Sequence, residues 1–199
     1  MARGDKIKIR LNRSELAVPG SRPEFFEKAA NGKSDVIFLD LEDSVALEKK
    51  TKARKNVVEA IQDIDWGKKT LSVRINSIDT DFFEKDLNSL MKNNNNRLDL
   101  LMLPKVQSDK DIIKLEKIVK RLEKQKKKKK EIGFELIIEN AQGLINVNKI
   151  ARASKKNESL HFGAADFASS IGAKTMSIGG VEEFYGTLGK KKNKHDKRL

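Results

Sequence analysis

The chain contains no cysteine, which excludes disulfide bonds and thiolate chemistry and leaves the redox character of its compartment unmarked. No apolar stretch reaches the length of a secretion signal or the ~20 residues of a membrane span. The expectation is a soluble, cytoplasmic protein with no membrane partner. A glycine-rich phosphate fingerprint is missing as well: "VPGSRPEFF", residues 18–26, has one glycine and two prolines, so a dinucleotide site there would be poorly built. Histidine is scarce, with His161 in an alternating "LHFGA" pattern that suits a hydrogen-bonded strand residue better than a base, and His195 in a charged tail.

What is abundant is positive charge, a net of +13 over 199 residues. Such a balance ordinarily suggests a polyanionic partner. Its distribution points elsewhere, because residues 121–130 carry +6 and residues 190–199 carry +5, leaving the body nearly neutral. Lysine runs of this kind repel one another and stay solvated, and these lack the interleaved aromatics that base stacking uses. No nucleic-acid partner is expected. The organisation read from the chain is one domain over residues 1–189 and a basic, disordered tail over 190–199, with the asparagine run 93–96 and the lysine run 126–130 as polar extensions.

Six short apolar runs alternate with helical patterns: "LAVPG" (16–20), "VIFLDLE" (36–42), "LSVRIN" (71–76), "LLMLPK" (100–105), "FELIIEN" (134–140) and "SLHFGAAD" (159–166). Near-continuous apolar strands between helices indicate a parallel sheet covered on both faces. Ala53, Val57 and Ile61 recur every four residues, and Ile112, Leu115, Ile118, Val119 and Leu122 form a second helical stripe with Ser108 as its N-cap. Six βα units fit an open doubly wound sheet or most of an eight-stranded barrel; the missing phosphate fingerprint favours a TIM-type (β/α)8 barrel, here with about six units.

Each apolar run carries polar residues at or just past its C-terminal end. These are Arg22; Asp40, Glu42 and Asp43; Arg74 and Asn76; Lys105; Glu139 and Asn140; and Asp166. Parallel α/β folds bind ligands at that edge. Asp43 alone also suits a helix cap or a solvated loop. Glu139, at the mouth of a buried strand, needs compensation: either a hard divalent cation shared with Asp166 or a salt bridge to Arg74 or Lys105. Arg74 can grip a carboxylate or oxyanion through its planar fork.

"RSELAVPGSRPEFFEKA", "DVIFLDLEDSVALEKKTKAR", "SVRIN", "LMLPKV", "ELIIENAQGL" and "LHFGAADFA" resemble, in order, the blocks of the citrate lyase β-subunit and HpcH/HpaI aldolase superfamily. "TMSIGGVEEFYG", residues 175–186, resembles its malyl-CoA and β-methylmalyl-CoA lyase branch. The resemblance implies a TIM-type barrel that binds Mg²⁺ and makes or breaks a carbon–carbon bond beside a CoA thioester, such as malyl-CoA going to acetyl-CoA and glyoxylate. It implies Glu139 and Asp166 as metal ligands, Arg74 as the grip on the oxo-acid, and Asp40, Glu42 and Asp43 as a catalytic acidic cluster around the metal's waters. Ser14, Pro19 and Arg22 fall in the segment near CoA, and Asn76 and Lys105 among the substrate-side residues.

Other activities of the same superfamily stand beside that one: citryl-CoA cleavage, malyl-CoA thioester hydrolysis and CoA-independent aldol cleavage of oxo-acids. The family pattern continues beyond "YGTLG" (185–189) with two more barrel strands and an aspartate acting from a neighbouring subunit, whereas this sequence passes into "KKKNKHDKRL". An uncovered sheet edge, a homo-oligomer and, as the non-enzymatic alternative, an inactive ligand-binding fragment are the corresponding expectations.

Overall fold

A computed structural model describes residues 10–92, 97–126 and 131–173. The asparagine run 93–96, residues 127–130 of the lysine run, the segment 175–186 and the basic tail lie outside the described residues. The apolar runs form six strands: β1 (Glu15–Pro19), β2 (Val36–Asp40), β3 (Thr70–Arg74), β4 (Leu100–Leu103), β5 (Gly133–Ile138) and β6 (Asn157–Phe162). Between and after them lie α1 (Phe26–Ala30), α2 (Lys50–Asp63), α3 (Phe83–Met91), α4 (Asp109–Gln125), α5 (Ala141–Ile145), α6 (Val147–Arg152) and α7 (Ala164–Ser170).

All neighbouring strands pair in parallel, in the unbroken order β1 to β6. A doubly wound sheet reverses its order at a switch point, and this one does not. It is also curled. In a flat sheet five inter-strand steps would separate β1 from β6 by about 24 Å, yet Glu15 Oε2 on β1 lies 3.7 Å from His161 Nδ1 on β6. Arg10, just ahead of β1, donates to Glu158 of β6 at 2.7 Å. The sheet is the wall of a TIM-type barrel, six strands of which are described.

The outward side chains Ile37, Leu39, Leu71, Val73, Leu101, Leu103, Phe134, Leu136 and Ile138 merge with the helical stripes into one core. Helix α2 buries Ala53, Val57 and Ile61, and α4 buries Ile112, Leu115, Ile118, Val119 and Leu122, as their spacing predicts. Each such valine, leucine or isoleucine side chain contributes roughly 1.5–3 kcal/mol when fully buried. Ser108 opens α4 in a capping box with Asp111. Among the described residues no helix is long and apolar enough to cross a membrane.

The strands are shorter at their C-terminal ends than the sequence patterns suggest. Asp40 and Arg74 are the last residues of β2 and β3, and Asp166 lies in the first turn of α7, not on a strand. The backbone nevertheless stays paired past these ends. Leu41 N donates to Arg74 O at 2.9 Å, Ile75 N to Met102 O at 3.1 Å and Gly163 N to Ile138 O at 3.0 Å. Polar loop residues are thereby held almost as firmly as strand residues at one rim.

Candidate active site

The rim is organised around Asp40 and Arg74, which sit side by side in the β2–β3 register. Arg74 Nε and Nη2 donate to Asp40 Oδ1 and Oδ2 at 2.7 and 2.6 Å. The same two oxygens accept the N–H groups of Glu42 at 2.8 Å and Ser44 at 3.1 Å. Asp40 therefore has both oxygens doubly engaged. Within the anticipated acidic cluster it is the buried member, tied to Arg74 and to the loop that follows β2. Burial opposes its ionisation, but Arg74 and the loop donors hold its pKa below the ordinary range. Burial likewise opposes the charge on Arg74, and Asp40, Glu42 and Asp43 reverse that, raising its pKa. Its two-pronged fork is already occupied, so Nη1 is the donor left at the mouth, 3.6 Å from Glu42 and 3.9 Å from Asp43.

Glu42 and Asp43 are compensated from the far side by Lys105, which follows β4. Its Nζ reaches Glu42 Oε1 at 2.6 Å and Asp43 Oδ1 at 3.2 Å. Burial raises the pKa of Glu42, partly offset by Lys105, while Asp43 is lowered against its own burial by Glu42 and Lys105. Lys105 stays charged despite partial burial because of the same two partners. Its backbone lies in the left-handed region, φ 55°, which costs a residue with a side chain about 1–2 kcal/mol. Lys50, buried under the same loop, donates to the carbonyls of Leu41 and Glu42 at 2.8 and 2.7 Å.

Glu139 follows β5 directly and is only 5 % exposed. It forms no ion pair with Arg74 or Lys105; Oε1 accepts the backbone N–H of Lys105 at 2.7 Å. Burial pushes its pKa up to about 7, the Lys105 N–H pulls it back, and the charges of Asp166 and Glu42 push it further. Gly163 makes room for it, since a Cβ there would lie 2.6 Å from both Glu139 Cβ and Oε2. Five carboxylates (Asp40, Glu42, Asp43, Glu139 and Asp166) thus meet the side-chain cations of Arg74, Lys105 and, beneath the loop, Lys50, and none of these cations pairs with Glu139. An all-oxygen donor set with an unneutralised buried carboxylate fits a hard divalent cation such as Mg²⁺.

Not every anticipated residue comes to this rim. Ser14 sits at the opposite end of the barrel, where its hydroxyl accepts Asp35 N at 3.2 Å. Asn76 is buried towards the helices: its N–H and Nδ2 both donate to Asp86 of α3, which also pairs with Arg54 of α2 at 2.7 Å. Neither is placed to meet a substrate at the mouth. Pro19, in register with Asp40, does reach the rim. Arg22 lies beyond it on the surface, paired with Glu24 at 2.5 Å and stacked 4.7 Å from the Phe25 ring. Asn140 is spent on capping α5, accepting Gly143 N at 2.7 Å.

Beneath the mouth lies a polar layer that the sequence patterns did not reveal. Buried Glu135 accepts the hydroxyls of Ser72 at 2.6 Å and Ser159 at 3.3 Å. His161 lies between two carboxylates, Nε2 3.6 Å from Glu135 and Nδ1 3.7 Å from Glu15, and is a hydrogen-bonded strand residue, as its pattern suggested, through Nε2 and the Ser159 hydroxyl at 3.1 Å. Glu15, Glu135 and His161 offer ligand atoms within 4.8 Å of one another. Because each nitrogen faces a different carboxylate, the arrangement suits an imidazolium bridging two acids better than a histidine ligating one ion. Glu135 and burial act in opposite directions on His161, with a net upward shift; burial, then Glu135, push Glu15 up to about 7. The available signal was Glu15 and Glu135, charges at the strand's inward positions.

The sequence profile of the HpcH/HpaI aldolase/citrate lyase family matches residues 13–185. The L-malyl-CoA/β-methylmalyl-CoA lyase of Rhodobacter capsulatus is 48 % identical over 176 residues, covering 88 % of this chain and 55 % of that protein. The malyl-CoA/β-methylmalyl-CoA/citramalyl-CoA lyase of Chloroflexus aurantiacus is 34 % identical over 154 residues, or 77 % and 44 % of the two chains. The chain thus spans about half the length of these curated relatives. Among solved structures, CitE of Mycobacterium tuberculosis in complex with magnesium, acetoacetate and coenzyme A superposes with a TM-score of 0.64 at 28 % identity, covering 82 % of this chain and 53 % of that one. With the parallel, sequentially ordered barrel wall and the acidic rim, these similarities establish that the chain belongs to the HpcH/HpaI aldolase/citrate lyase family.

Proposed function

We propose that this chain forms the metal- and substrate-binding part of a magnesium-dependent carbon–carbon lyase that cleaves, or in reverse forms, a 3-hydroxyacyl-CoA such as malyl-CoA, with acetyl-CoA and glyoxylate as the products. The observation that carries this reading is the buried Glu139, at the mouth of the barrel beside Asp166 without an ion pair to either nearby cation. The names of the lyase relatives and the ligands of the CitE complex support the substrate class.

Glu139 and Asp166 would hold the ion. When bound, Mg²⁺ makes a hydroxyl in its coordination sphere more acidic and stabilises oxyanions. In the reaction the 3-hydroxyl gives up its proton and becomes the carbonyl of glyoxylate. The C2–C3 bond breaks, its electron pair passes into the thioester enolate, and the enolate carbon takes a proton to give acetyl-CoA. Arg74, locked by Asp40, presents Nη1 to anionic oxygen at the mouth, where a fixed donor acts on charge as it develops. Glu42 and Asp43 shape the mouth, and Pro19 and the exposed Arg22 line the side from which CoA would approach. Under the same reading, residues 1–189 make one barrel domain, followed by a basic tail, in a cytoplasmic homo-oligomer.

Incubation of the protein with Mg²⁺ and malyl-CoA should release glyoxylate, trapped as its phenylhydrazone, and Glu139→Ala should abolish the release. Malate without glyoxylate would replace the lyase reading with thioester hydrolysis. Binding of Mg²⁺ and CoA with no turnover would reduce the chain to a ligand-binding segment.

A further inference from the structure

Lys105 combines two features that packing alone does not require. It is the one non-glycine residue with positive φ among the described residues, and it touches both halves of the acidic rim. Its main-chain N–H fixes Glu139 Oε1 at 2.7 Å, while its ammonium spans the mouth to Glu42 at 2.6 Å and Asp43 at 3.2 Å. Glycine would adopt this backbone without strain and would keep the N–H. What glycine could not supply is the charge.

Glu42 and Asp43 are otherwise suitable ligands for a hard cation. Two adjacent carboxylate oxygens converge on one positive nitrogen at 2.6 and 3.2 Å, and a hard divalent ion such as Ca²⁺ in its place would draw them in to about 2.3–2.6 Å. Their remaining oxygens face each other, the more distant Nη1 of Arg74 and, for Glu42, the Asp43 N–H at 3.0 Å. We propose that Lys105 is a positioning residue whose ammonium occupies the Glu42–Asp43 pair as a built-in cation, so that a divalent ion is directed to Glu139 and Asp166 alone. The inference rests on the metal-site reading of Glu139 and Asp166 given above. It adds a selecting function: one ion is admitted per rim, and the Glu42–Asp43 turn is held in place without one.

The test is a Mn²⁺ titration of the purified chain, followed by calorimetry and by the EPR signal of free Mn²⁺, so that stoichiometry is read independently of turnover. Wild type and Lys105→Arg should each bind one Mn²⁺ per chain. Lys105→Gly, which relieves the backbone and keeps the N–H, should bind two, and Lys105→Gln should do the same if the glycine variant folds poorly. In the double variant Lys105→Gly/Glu139→Gln one ion should remain, at the released carboxylate pair. A stoichiometry that stays at one in both Lys105→Gly and Lys105→Gln, with wild-type binding lost in Glu139→Gln, overturns the role of Lys105 while leaving the metal site standing. Absence of binding in the wild type overturns both.

Discussion

Asp40→Asn should destabilise the protein far more than its location on a ligand-binding rim would suggest. In wild type each carboxylate oxygen accepts two donors: Oδ1 those of Glu42 N and Arg74 Nε, Oδ2 those of Ser44 N and Arg74 Nη2. Asparagine has one acceptor and one donor end, so either orientation of the amide sets an NH2 against two N–H groups. Arg74, a largely buried guanidinium, loses its bidentate charged partner and keeps only the longer contacts to Glu42 and Asp43. Breaking a buried pair from one side costs about 3–5 kcal/mol, a large fraction of the 5–15 kcal/mol that holds a typical domain folded. In a chain of this size that is a fall in Tm on the order of 10 °C. Urea unfolding of Asp40→Asn beside Asp43→Asn is the assay, because Asp43 is half exposed and its contacts are longer, so its loss should cost less than about 1 kcal/mol. If Asp40→Asn unfolds at the wild-type midpoint, or at a higher one, Asp40 is not the pivot that fixes Arg74.

The polar layer beneath the mouth should make stability pH-dependent. Glu15 is protonated up to about 7 in the folded chain, so its contribution is present below the ordinary carboxylate pKa and is lost as pH rises towards 7; His161, raised in the folded state, likewise stabilises below about 6.5 and loses its effect as pH climbs through its higher value. The urea midpoint should therefore fall between pH 5 and pH 8, and Glu15→Gln should flatten the slope; a midpoint that rises over this range contradicts the bridging imidazolium. Gly163→Ala places a methyl group 2.6 Å from Glu139 Cβ and Oε2, and overpacking of this kind costs roughly 1–3 kcal/mol. It should both lower Tm and weaken Mn²⁺ binding at least tenfold, whereas unchanged values would show that Glu139 is free to move aside.

The strands and the two long helices were legible because their signals are local. "VIFLD" is apolar enough to be a buried strand whatever surrounds it, and the four-residue spacing of Ala53, Val57 and Ile61 fixes which side of α2 meets the sheet. The rim was legible as a set of residues, since consecutive parallel strands deliver their ends to one face. Their division of labour was not. Whether Asp40 meets water or an arginine depends on Arg74, 34 positions away and brought alongside only by the β2–β3 register. That Ser14 lies at the other end of the barrel and Asn76 against α3 was not legible, because linear nearness to a rim residue does not say which end or which layer a side chain occupies. The layer of Glu15, Glu135 and His161 went unseen because charge inside an apolar strand makes sense only once the sheet is known to curl and bring β1 across to β6.

The central claim is that a divalent ion is held at the mouth by Glu139 and Asp166, not in the layer below by Glu15, Glu135 and His161. Calorimetric Mg²⁺ titration of wild type, Glu139→Gln, Asp166→Asn and His161→Asn tests it directly. The account predicts binding in wild type and in His161→Asn and none in the two carboxylate variants; binding that survives in Glu139→Gln and Asp166→Asn but disappears in His161→Asn would contradict it.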